Sequence, residues 1–172
     1  MQNAVFYTLT ILIWGSTWLV ITFQLGVVAA EASIVYRFSL ASLLLMAYVL
    51  VRRLPMRFSP RQHVYVALQG TFLFSLNYIL VYLAEQNLTS GLVAIVFSML
   101  ILSNVLLGAV FLHNPIRPRV VLGGVIGVAG LALVFWREMS GLALGGGWQL
   151  GLMLSIAAVL SASIGNILSA RN

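Results

Sequence analysis

The chain contains neither cysteine nor lysine. Without cysteine, disulfides, thiol catalysis and cysteine-ligated metal sites are excluded, and the redox compartment leaves no mark. Charge is scarce as well. Only 7% of the 172 residues are charged, against roughly 25% in an ordinary soluble domain. So few charges cannot cover a water-facing surface, and the solvent this composition fits is lipid. Also missing are a His-x-x-x-His pair, a serine nucleophile elbow, paired intramembrane carboxylates and a glycine-rich phosphate loop after a strand. The two histidines stand apart, His63 in a basic connection and His113 at a helix end, where each reads as an interfacial residue. No set of catalytic residues or metal ligands assembles. The expectation is a protein that is not an enzyme and carries no cofactor.

What is present is apolar sequence, 62% of the chain. It falls into six runs, roughly Ala4 to Val27, Ala32 to Val51, Val64 to Ala84, Leu88 to Leu112, Val120 to Trp136 and Trp148 to Ala170. Each run far exceeds the roughly 10 residues of a barrel strand and lacks a strand's alternation, while a spanning helix needs about 20 apolar residues. The predicted fold is all-α, a polytopic membrane bundle of six transmembrane helices. The opening MQNAVFYTLT has no basic stretch and no small-residue cleavage site, so it reads as the first span and not as a signal peptide.

The net charge of +6 comes from arginines placed between apolar runs, which is a topology signal and argues against nucleic acid as a partner. RRLPMRFSPRQH carries Arg52, Arg53, Arg57 and Arg61, HNPIRPR carries Arg117 and Arg119, and the tail carries Arg171. With alternating spans these all fall on one side, opposite Glu31, Glu85 and the pair Arg137/Glu138. Arginine-rich loops stay cytoplasmic, so both termini are expected in the cytoplasm. Pro55, Pro60, Pro115 and Pro118 all sit in the basic connections, where they end helices without leaving unpaired amides in lipid.

Polar residues inside apolar runs are costly and usually face a bundle interior or a cavity. In the third run Thr71, Ser75, Tyr78, Tyr82 and Glu85 are spaced four, three, four and three, which puts them on one stripe of an α-helix, with Asn77 beside it. Such a stripe reads as a cavity wall or as interhelical hydrogen bonding. In the fourth run Ser90, Ala94, Phe97, Ile101, Asn104 and Gly108 share a face. In the first, WGSTW places Trp14 and Trp18 one turn apart near mid-depth, too deep for an interfacial belt. There Ser16 and Thr17 are able to bond carbonyls a turn back. Arg37 lies about one turn into the second helix, positioned to snorkel, to pair with Glu31 or Glu85, or to attract an anionic group of a substrate. GGVIGVAG puts Gly123, Gly127 and Gly130 on one packing face of the fifth helix. In the sixth, Ser155, Ala158, Ala162, Gly165 and Ser169 form a small-residue face beside Asn166, suited to close approach to helix one. SGLALGGGW, residues 140–148, is a flexible loop before that helix.

WGSTW, YRFSLAS, NYILVYLAEQNLTSGLVAIVFS and LGGVIGVAGLALVF, in this order and spacing, resemble the EamA-like family of the drug/metabolite transporter superfamily. Many members carry a proline in the middle of helix four, where this chain reads VFSMLILSNVLLG. The resemblance implies a ten-helix transporter made of two inverted five-helix repeats. Residues 1–139 would be the first repeat, and 140–172 a loop with the first helix of a truncated second one. It implies export of small metabolites, such as amino acids or amphipathic compounds, across the bacterial cytoplasmic (inner) membrane. The expected substrate-contacting residues are Trp14, Ser16, Trp18, Asn77, Tyr78, Tyr82, Asn104 and Asn166, with Arg37 and Glu85 as charge partners. The expected partners are the lipid bilayer, a small-molecule substrate, and either four further C-terminal helices or a self-associated copy. The competing reading is a non-transporting membrane assembly protein or an inactive transporter fragment.

Overall fold

The computed structural model describes residues 2–23, 28–134, 136–141 and 147–171, and all regular structure among them is helical. The long rods are α1 (Gln2–Thr22), α2 (Ala30–Val51), α3 (Pro60–Glu85), α4 (Ser90–Leu112), α5 (Pro118–Val134) and α6 (Trp148–Arg171). A short helical segment, Trp136–Gly141, follows α5. Five of the rods are long and apolar enough to cross a membrane. The exception by length is α5, whose 17 residues rise about 25 Å at 1.5 Å per residue. The molecule is a polytopic membrane helix bundle, as the six apolar runs require. The end of the first predicted run, 24–27, and most of the predicted loop, 142–146, lie outside the described residues.

Local sequence sets the helix ends. Ser59 opens α3 with a reciprocal cap: its hydroxyl accepts from the Gln62 amide at 3.3 Å, and Gln62 Oε1 accepts from the Ser59 amide at 2.8 Å. Pro60 fills the first helical position, where no amide is needed. Thr89 caps α4 through the Leu92 amide. At the other end of α4, His113 takes a left-handed conformation, φ 55°, and the Asn114 amide donates to the Gly108 carbonyl, closing the last turn.

Two rods are irregular at mid-length. In α3, residues Gly70–Leu76 form a π-helical segment. The α4 rod is interrupted at Met99, between Ser90–Ser98 and Leu100–Leu112. The Ser98 hydroxyl bonds the Ile95 carbonyl at 2.6 Å, a back-bond that bends helices. The break occurs without the proline that the family resemblance leads one to expect.

The sixth helix is the centre of the bundle. Of its most apolar stretch 44% is buried, against 6% to 17% for the other four long rods. Its small face packs on α3 and α4, not on α1 as the sequence suggested. A Cβ added at Gly165 would lie 2.7 Å from the Leu73 Cβ and 3.1 Å from the Leu73 backbone nitrogen, and one at Gly151 2.6 Å from Leu88. Small residues permit this approach, and close packing substitutes for the hydrophobic drive that lipid does not provide. Ser169 stays exposed. The predicted packing face of α5 also needs correction. Gly123, Gly127 and Gly130 face open space, and it is Gly124 that meets Leu102 and Ile101 of α4. A rotation of one residue, about 100°, decides which glycines touch, and the sequence pattern leaves that phase undetermined.

Candidate functional site

Between α1, α3, α4 and α6 lies a cavity of about 220 Å³. From α1 it takes Trp14, Thr17, Trp18 and Ile21, an i, i+3, i+4, i+7 face. Asn77 and Tyr78 come from α3, Phe97 from α4, and Ala162 and Asn166 from α6. The wall is mostly aromatic and aliphatic, with a few amide and hydroxyl groups, and none of its residues is charged. Such a lining suits a solute with an apolar body and a small polar end.

Each polar group has a defined setting. Asn77 is buried at 4% exposure and donates from Nδ2 to the Ala158 carbonyl of α6 at 2.7 Å. Asn166 donates to Asn104 Oδ1 at 3.3 Å. Thr17 and Ser16 both donate to the Ile13 carbonyl at 3.0 Å. Trp18 meets Phe97 edge-on with centroids 5.1 Å apart, and Tyr78 meets Phe38 at 4.8 Å. Trp14 is 58% exposed, forming the open side of the cavity.

Of the residues expected from sequence, Trp14, Trp18, Asn77, Tyr78 and Asn166 share this cavity. Three do not. Ser16 is exposed on the far side of its turn, and its neighbour Thr17 takes the lining position. Tyr82 is buried at 1% exposure inside the packed core. Asn104 lines an adjoining recess with Gly108, Asn114 and Arg117, separated from the main cavity by its bond to Asn166. Thr17 was within reach of the sequence, because it sits between the two tryptophans on their own face.

The expected charge pair does not form among the described residues. The Arg37 guanidinium lies over the Tyr78 ring, 5.0 Å from its centroid, and interacts electrostatically with Tyr82. An aromatic face binds a guanidinium well in a dry setting. Glu85 is buried at 7% exposure, and neither of its carboxylate oxygens has a hydrogen-bond partner among the described residues. Thr71 and Ser75 are exposed, away from Asn77. The predicted stripe is therefore broken, because Thr71 and Ser75 lie within the π-helical segment Gly70–Leu76, which departs from the α-helical phase that would align them with Tyr78.

The described residues thus form an apolar helix bundle with an aromatic and amide-lined cavity between its helices. The model of the EamA-like transporter family matches residues 3–136, and the chain belongs to that family. It is also similar to Protein PagO of Salmonella typhimurium, 24% identical over 157 residues covering 91% of this chain and 51% of the relative. The chain thus spans about half the length of the curated relative it matches. No solved structure matches it.

Proposed function

We propose that the chain supplies the solute-holding half of a secondary transporter that exports small metabolites, amino acids or amphipathic compounds, from the cytoplasm. The observation that carries this reading is the mid-depth cavity, in which Trp14, Trp18 and Phe97 offer apolar contact and Asn77 and Asn166 offer polar groups. Membrane transport families place such sites between helices near the bilayer midplane. In this reading residues 1–139 form one five-helix repeat and 140–172 begin a second. The membrane is the bacterial inner membrane, and both termini lie in the cytoplasm. Four further helices, or a second copy, would complete the passage.

The test is solute flux in membrane vesicles containing the protein, screened over small amphipathic metabolites. Trp14→Ala is expected to raise KM about tenfold, the effect of losing about 1.4 kcal/mol of aromatic contact. Unchanged flux and KM in a well-expressed Trp14→Ala protein would remove the cavity from the mechanism.

A second reading, a non-transporting assembly protein, draws on the interhelical bonds that occupy the polar groups. Asn77 bonds Ala158, Ser163 bonds Ser103 at 2.7 Å, and Asn166 bonds Asn104. It predicts no flux of any solute and no quenching of the cavity tryptophans by amphipathic ligands.

A further inference from the structure

The π-helical segment of α3 is held by α6 at three points. The Phe72 carbonyl accepts the Asn77 amide, five residues on, and also the Ser161 hydroxyl at 2.7 Å. One turn further along α6, Gly165 lies against the Leu73 backbone so closely that no Cβ fits. On the other side of Ser161, the Ala158 carbonyl accepts the Asn77 side chain at 2.7 Å. A π turn carries extra chain relative to an α turn and leaves carbonyls poorly satisfied, so it persists where a neighbour supplies the missing contacts. Here one neighbouring helix supplies the hydrogen bond to the Phe72 carbonyl and the close backbone contact at Leu73.

The sequence of α3 is written for a different phase. Thr71, Ser75, Tyr78, Tyr82 and Glu85 form a single stripe only if residues 70–76 are α-helical. As observed, Tyr82 and Glu85 are buried and Tyr78 lines the cavity, but Thr71 and Ser75 point out of the bundle. Thr71 satisfies its hydroxyl on the Ala67 carbonyl, and Ser75 lines a shallow apolar groove against α2. Converting the segment from π to α at constant length winds the chain before it by up to about 100° relative to the chain after it, most at Thr71 near the start of the segment and least at Ser75 near its end. That rotation returns Thr71 and Ser75 to the Tyr78 side.

We infer that residues 70–76 are a phase switch, and that Thr71 and Ser75 are further solute-contacting residues that enter the path when the segment converts from π to α. The Ser161–Phe72 bond and the Gly165–Leu73 contact hold the π phase. Their loosening, as α6 shifts on α3, converts it. Two hydroxyls then replace Leu73 and Phe74 on the cavity wall, so the wall becomes more polar in the converted state. This inference rests on the cavity being the solute path.

The absence of cysteine makes the test direct. Single cysteines at Thr71→Cys, Ser75→Cys and, as the cavity control, Thr17→Cys are labelled in vesicles with a membrane-impermeant thiol reagent. A thiol facing lipid forms no thiolate and does not react, whereas one in a wet path does. Each is measured in the unmodified background and with Ser161→Ala. The expected result is labelling of Thr17→Cys throughout. Thr71→Cys and Ser75→Cys should label about fivefold faster with Ser161→Ala, the shift that losing one hydrogen bond produces. Labelling at Thr17→Cys with no acceleration at positions 71 and 75 overturns the switch and leaves the cavity standing. No labelling at Thr17→Cys in any background means a dry cavity, and the transport reading falls together with this one.

Discussion

Trp14 and Trp18 show how one turn of helix divides a motif between two jobs. Trp18 packs edge-on against Phe97 and touches the core, while Trp14 is largely exposed at the cavity's open side. Trp18→Ala is therefore expected to destabilise the bundle by about 2 kcal/mol, toward the low end for a large-to-small change because the ring is only half-buried. Trp14→Ala should stay within about 0.5 kcal/mol, as surface changes do. Denaturant unfolding in detergent, followed by helical circular dichroism, separates the two, and equal losses would contradict this division. The pair of tryptophans was legible in the sequence because two indoles at mid-depth have few other uses. The partner of Arg37 was not. Spacing offered Glu31 and Glu85 equally, and only the packing of α2 against α3 sets the guanidinium on Tyr78 and Tyr82.

Among the elements, α6 orders its neighbours. Its glycines meet side chains and backbone at distances that leave no room for a methyl group, whereas Gly127 of α5 has nothing within 4 Å. Gly165→Ala and Gly151→Ala should each cost about 1–3 kcal/mol by overpacking. Gly127→Ala should be neutral or slightly stabilising, since alanine is the better helix former. Thermal unfolding of the three variants side by side checks this, and a tolerant Gly165→Ala would mean that α6 does not hold α3 as closely as described. The helices themselves were readable from apolar length and from caps such as Ser59-x-x-Gln62. The π turn was not, because the spacing of Thr71, Ser75, Tyr78 and Tyr82 fits an unbroken α-helix. What breaks it is a bond and a backbone approach from a helix some 90 residues later in the chain.

For the whole molecule, the arginine distribution and the lack of cysteine together give a clean topology experiment. Ser59→Cys lies in the basic connection before α3 and Gln86→Cys at its opposite end. In intact cells the impermeant reagent should label Gln86→Cys and spare Ser59→Cys, with both labelled after lysis. The reverse pattern would invert the orientation given by the positive-inside rule.

Composition and run length alone determined that this chain lives in lipid as a bundle of helices, because charge density and apolar length are properties of the chain that no packing alters. Motif order pointed to the family, and the family model matches residues 3–136. The tertiary structure decided which face of each helix looks inward. It put Thr17 in place of Ser16, enclosed Tyr82, and placed the small face of α6 on α3 and α4. In a helix apolar on all sides the sequence carries almost no facial contrast, so rotation about the axis is fixed only by the neighbours it meets.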